Sequence, residues 1–160
     1  MAVYKLNIDE FDEIDYQLIA IHTSLEDYRL AYFINQNFPV LLSKCKTDIP
    51  ITSKSGQARL SRFSFEDEFT CSTWDLIQNR NEYVTQQPNA TGDLFSGTNV
   101  KVASKAYLLP EFKKVDYLLK VQNLDDSPES ISEKMQKIDM VTMSYILDTS
   151  RIKSINNLIF

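Results

Sequence analysis

The sequence predicts an α+β fold, a mostly antiparallel sheet with two helices on one face, within a single domain spanning residues 1–160. Three observations carry this reading. Two strand-like runs, Tyr16–His22 and Val115–Val121, are apolar on alternate or both faces, the pattern of strands at the middle of a sheet. Two segments carry helix-start signals, Ser24 before Leu25–Asn35 and Ser127-Pro128-Glu129 before Ile131–Ile138. The stretch Ile8–Tyr16 is echoed at Leu109–Tyr117, an offset of 101 residues, so one small unit is expected to be used twice.

In chain order, Ala2–Ile8 reads as a first strand and Asp9–Glu13 as an acidic turn. The strand from Tyr16 places Leu18, Ala20 and His22 beside it on one face, with Ile19 and Ile21 on the other. Ser24 is the expected N-cap of a helix that Pro39 closes, and Val40–Ser43 a short strand. Thr47–Gly56 reads as a loop. Gln57–Phe65 alternates, and with Phe69–Ile77 it reads as a hairpin over residues 57–78, turning at Glu66-Asp67-Glu68. Residues 86–99, with Pro88, Gly92 and Gly97, form the longest expected loop. Val100–Leu109 is strand-like and Pro110–Lys114 a turn or short helical turn. Val115, Tyr117, Leu119 and Val121 are expected to share one strand face. Ile131, Met135 and Ile138 mark the buried stripe of the second helix. Val141, Met143, Tyr145 and Leu147 line a closing strand, and the apolar Leu158-Ile159-Phe160 is expected to dock on the core.

Holding the offset at 101 aligns Leu30 with Ile131, Ile34 with Met135 and Val40 with Val141. The expected halves, about residues 2–45 and 100–148, each run strand, turn, strand, helix, strand. Within the repeated stretch, Ile8 or Leu109 ends a strand and Asp9 or Pro110 starts the turn. Glu10 or Glu111 is placed to accept turn amides, and Phe11 or Phe112 to plug the core. Ile14 or Val115 and Tyr16 or Tyr117 re-enter the core, while Asp15 or Asp116 points away and can hold backbone N–H groups. That makes a structural corner. The competing reading has the acids converge as paired carboxylates for acid–base or metal chemistry.

The run Leu109-Pro110-Glu111, three free positions, then Val115-Asp116-Tyr117 resembles the signature of the IPExxxVDY family of Bacteroidota bacteria, with Leu for Ile at its first position. The resemblance implies a cytoplasmic bacterial protein. It brings no activity, cofactor or catalytic residue to carry over. The first copy departs further, with Asp9 in the proline's place.

A net charge of −5 sets the field of the molecule against phosphate backbones and anionic membranes. No apolar run approaches the ~20 residues of a membrane span, and no signal-like segment opens the sequence. Cys45 and Cys71 form no CxxC or zinc spacing, so they read as reduced, inert core thiols of a cytoplasmic protein. His22 is the single histidine, which leaves little for zinc or a nucleophilic triad. No phosphate-cradling glycine motif occurs. With no catalytic, cofactor or metal residues expected, the leading reading is a non-enzymatic interaction or regulatory module for a protein partner of basic character, with self-association compatible. The runner-up is a small-ligand-binding or enzymatic pocket between the halves, lined by Tyr16, Tyr117, Glu10 and Glu111. A third reading places RNA on Arg59, Arg62, Phe63 and Phe65.

Overall fold

Strands β1 (Tyr16–Thr23) and β9 (Tyr117–Gln122) lie side by side in the middle of a six-stranded sheet. The computed structural model describes residues 15–54, 56–87 and 100–160. Between β1 and β9 the chain forms α1 (Asp27–Asn37), β2 (Ser43–Lys44), β3 (Ile49–Ser53), β4 (Gly56–Leu60), β5 (Arg62–Asp67), β6 (Ser72–Gln78), β7 (Arg80–Gln87) and β8 (Val100–Tyr107). After β9 come α2 (Pro128–Gln136) and β10 (Val141–Ile146). The sheet order is β10-β1-β9-β6-β5-β2, every pair antiparallel. Two ribbons, β3–β4 and β7–β8, complete the strands among the described residues.

Both faces of the central strands are buried, as their composition demands. Ile19 and Ile21 of β1, Leu76 of β6 and Leu119 and Val121 of β9 pack under both helices, which present Leu30, Ala31 and Ile34 from α1 and Ile131 and Met135 from α2. Leu18, Ala20, Ile77 and Leu118 form the opposite face. It is covered by Ile49, Leu60, Leu108, Leu109 and Val115 and by the C-terminal residues Leu147, Ile152 and Leu158. Of the apolar Leu158-Ile159-Phe160 expected to dock on the core, Leu158 is fully buried, whereas Ile159 and Phe160 are exposed.

Helix α2 starts as its residues dictate: Ser127 Oγ accepts the Ser130 amide and Pro128 occupies the first turn. Helix α1 differs. Its N-cap is Glu26 rather than Ser24, with no side-chain cap bond. The Thr23 hydroxyl instead accepts the Leu25 amide and donates to the Met140 carbonyl (2.7 Å), so the turn is held one step earlier.

Several expectations are corrected. Residues 49–53 form a strand rather than a loop, and Pro50 is tolerated because β3 pairs on one side only. The stretch 57–65 breaks at Ser61: β4 pairs with β3, while the hairpin proper is β5–β6, turning over residues 68–71. Gln86 and Gln87 belong to β7, which pairs with β8; residues 88–99 of the expected loop are outside the described residues. Val115 packs on the opposite face from Tyr117, Leu119 and Val121, because it precedes the strand and follows a 3-10 turn. Register shifts between His22 and Thr23 in the β1–β10 ladder, so Val141 joins the helix-side core while Tyr145 and Leu147 face the other way. The expected first strand and the turn containing Ile8, Glu10, Phe11 and Ile14 lie outside the described residues. Helices α1 and α2 begin 101 residues apart. The segments after them diverge, since β10 pairs with β1 whereas β2 pairs with β5.

The ribbons pack on each other through a close approach at Gly56, whose φ of +151° is a conformation side chains rarely adopt. A Cβ there would sit 3.0 Å from Thr85 Cγ2 and 3.2 Å from Tyr83 Cε2. The Ser53 and Tyr83 hydroxyls bond beside it, and Asn81 Nδ2 donates to the Arg59 carbonyl (2.7 Å).

Candidate functional site

The stretch Leu109–Tyr117 is a corner between β8 and β9, and a residue outside it holds it together. Asn79, fully buried (0% exposed), donates through Nδ2 to the carbonyls of Phe112 and Val115, both at 2.9 Å. Its Oδ1 accepts the Leu109 amide (2.9 Å). Its backbone N–H donates to the Asp116 carbonyl and its own carbonyl accepts the Leu108 amide. Pro110 opens the 3-10 turn Pro110–Phe112, and Phe112 packs against the second-face core. No positional pattern in the motif marks Asn79; only its place between two strand-forming runs could have raised it.

The acids of the corner look outward from it in different directions. Asp116 Oδ2 accepts the Thr23 amide (3.0 Å) and Oδ1 pairs with Arg80. The Tyr117 hydroxyl donates to the Leu25 carbonyl (2.9 Å), and burial, with Asp27, Asp116 and Glu26 nearby, pushes its pKa far above the ordinary phenol value. Glu111 accepts from the Lys153 and Ser154 amides and the Ser154 hydroxyl, each at 2.6 Å. Desolvation pushes the Glu111 carboxyl up, but the Ser154 hydroxyl and the amide bonds outweigh it, and the net shift is down. Glu111 was expected to serve amides of its own turn; beyond its own amide it serves those of the C-terminal segment.

Glu111 and Asp116 therefore do not pair, and the pocket expected between the halves is not assembled. Tyr16 and Tyr117 sit at opposite ends of the β1–β9 ladder, opposite Gln122 and Ile21 respectively. They also face opposite cores, Tyr16 under Lys120 and Tyr117 among the helix-side residues. Asp15 reaches only the Gln122 amide group (3.3 Å). Among the described residues no group of three or more His, Cys, Asp and Glu side chains is placed to hold a metal.

The remaining candidates are also parted. His22 stacks on Tyr145, its Nε2 3.2 Å from the hydroxyl. Cys45 is half-buried with Sγ 3.2 Å from Ser64 Oγ, and Cys71 is exposed in a left-handed turn conformation, so neither is an inert core thiol. Phe63 and Phe65 turn into the helix-side core, while Arg62 lies on the other face and donates twice to Asp75 (2.8 and 2.9 Å). The Phe160 ring covers that guanidinium at 4.4 Å. Burial pushes Asp75 up even so, against the pull of Arg62. Arg59 sits in the other sheet. The four residues expected to form an RNA platform share no surface.

One end of the molecule is organised differently. Glu66 and Asp67 end β5 and Glu68 opens the β5–β6 turn, whose Phe69 is 99% exposed. Asp67 orders this turn: Oδ1 accepts the Phe69 amide and Oδ2 the Thr70 hydroxyl, both at 2.9 Å, which holds its carboxyl below the usual range. Asn123 Nδ2 ties the β9–α2 loop to the turn through the Cys71 carbonyl (2.9 Å). Asn123 and Cys71 both adopt positive φ, 51° and 54°. Between these loops and the residues following α1 lies an open recess of about 140 Å3, lined by Phe65, Trp74, Pro39, Val40 and Leu124 with Asp67, Asp125 and Asp126. The sequence marked Glu66-Asp67-Glu68 as a turn but not as part of a site, because the recess draws its lining from three separate segments.

No family model, no curated protein and no solved structure matches the chain. No helix among the described residues is long and apolar enough to cross a membrane.

Proposed function

We propose that the protein is a non-enzymatic interaction or regulatory module that engages a basic protein partner through the β5–β6 end of its sheet. The observation that carries this is Phe69, wholly exposed on an acidic turn that Asp67 and Thr70 hold in one conformation. A large apolar side chain presented this way costs solvation when free and repays it when buried in a partner, which is how interface anchors behave. The surrounding acids steer a basic surface toward it. The corner Leu109–Tyr117 is on this reading a fold-holding device, since Glu111 and Asp116 spend their oxygens on backbone amides, Ser154 and Arg80. The chain's likeness to the IPExxxVDY signature supports, as part of the same proposal, a cytoplasmic bacterial protein.

The test is capture from native lysate with wild type and Phe69→Ser side by side, read by mass spectrometry. A set of basic proteins retained by wild type and lost by the variant is the expected result. Identical capture by both, or no specific capture by either, overturns the proposal.

A further inference from the structure

The recess beside Phe69 has a chemistry of its own. Its floor is apolar and aromatic, Phe65 and Trp74 from the sheet with Val40 and Leu124 at the sides. Its rim is anionic, with Asp67 from the turn and Asp125 and Asp126 from the loop before α2. Among the described residues no lysine or arginine lines it, so these charges are not neutralised by the residues that form the recess. The residues just past the C-terminal end of α1 close one side, and the last turn of that helix carries no basic residue. Its partial negative charge therefore adds to the same field. Trp74 is only 6% exposed as a residue, and its indole N–H makes no hydrogen bond among the described residues while not being fully buried, so it is open to a ligand's acceptor. At about 140 Å3 the space suits one side-chain head group rather than a cofactor or drug-sized molecule.

We propose that this recess binds one lysine or arginine side chain of an extended peptide segment, its charge met by Asp67, Asp125 and Asp126 and its stem laid on Phe65 and Trp74, while the Trp74 indole N–H donates to a main-chain carbonyl of the same segment. An aromatic floor under a cation adds a face-on attraction that a neutral side chain does not receive. Phe69, at the lip, covers the apolar residue next to the cation. The assignment rests on the interaction reading above and narrows it to a partner segment of alternating basic and apolar residues.

Trp74 is the sole tryptophan, so it reports on its own site. The probes are an acetylated, amidated hexapeptide alternating arginine with leucine, and its glutamate–leucine counterpart, titrated into the intact chain while tryptophan emission is followed. Expected are a saturable change with the arginine peptide, none with the glutamate peptide, and weakening as salt rises from about 0.05 to 0.5 M. The Asp125→Asn/Asp126→Asn variant, altered only at exposed loop positions, should lose about tenfold in affinity with an unchanged melting temperature. An emission that ignores the arginine peptide, or responds equally to both peptides, or an unchanged affinity in the double variant, overturns the assignment. If the peptide fails while Phe69→Ser still abolishes capture of a basic partner, the recess assignment falls and the interaction reading stands. If the peptide binds as expected while Phe69→Ser captures as wild type does, the recess stands and Phe69 is not the anchor.

Discussion

The corner at Leu109–Tyr117 and the acidic end around Phe69 are both rich in carboxylates, and they use them in opposite ways. At the corner each oxygen with an assigned bond is spent on a partner within the chain. Asn79 satisfies three backbone groups with its side chain, Asp116 reaches the Thr23 amide and Arg80, and Glu111 clasps Lys153 and Ser154. At the acidic end Asp67 alone of the acids is occupied locally among the described residues, and the Phe69 ring is almost wholly exposed. Interactions completed within a chain stabilise its fold; surfaces left incomplete at a solvation cost are those that a partner can complete. A repeated sequence motif draws the eye to the first region. The chemistry of recognition points to the second.

The contrast can be broken or sharpened by substitution. The largest expected effect is at Asn79, where Asn79→Ala leaves the Leu109 amide and the Phe112 and Val115 carbonyls buried without their partner. A loss of about 3–5 kcal/mol is expected by denaturant unfolding. Asp116→Ala leaves the buried Thr23 amide without its partner and removes a pair with the half-exposed Arg80, for roughly 2 kcal/mol by the same measurement. Gly56→Ala should cost about 1–2 kcal/mol, because Tyr83 and Thr85 must give way to the new Cβ at a strained φ.

Glu111→Gln should be milder, about 1 kcal/mol or less, because the site is screened by solvent. It should appear chiefly as faster hydrogen exchange at the Lys153 and Ser154 amides. The Glu111 pKa is depressed in the folded protein, so the unfolded chain takes up the proton more readily. Its contribution is present above the ordinary carboxylate range, near ~4.3, and is lost as pH falls through the folded value. The protection factors of those two amides, corrected for the intrinsic pH dependence of exchange, should therefore fall in acid in the wild type and not in Glu111→Gln. The smallest expected effect on stability is at Phe69: Phe69→Ser should move it by no more than about 0.5 kcal/mol, as the side chain is 99% exposed. A large loss there would place the ring in the fold and erase the contrast.

Much of the architecture was legible in the sequence for a physical reason. Strands β1 and β9 are apolar on both faces because both faces of the sheet are covered, and Ser127-Pro128 starts α2 by satisfying an amide and fixing a dihedral angle locally. Strands β3 and β7 were not legible. The first contains Pro50, and the second, Arg80–Gln87, is polar because its ribbon buries one face only lightly. Pairing with a neighbour, not apolar alternation, makes each of them a strand. The destinations of the motif acids were half legible: Glu111 and Asp116 do accept amides, but those of Ser154 and Thr23, partners that only the closed fold brings near. The recess was invisible for the same reason, since Trp74, Asp67 and Asp125 meet through tertiary structure alone.

The central claim is that the motif serves the fold and the acidic end serves recognition. The most direct measurement is the affinity of the arginine–leucine hexapeptide, followed by Trp74 emission, for Asp116→Asn and Phe69→Ser in parallel below their melting temperatures. The expected result is wild-type affinity for Asp116→Asn and a loss of about tenfold for Phe69→Ser. Affinity lost in Asp116→Asn and kept in Phe69→Ser would contradict it.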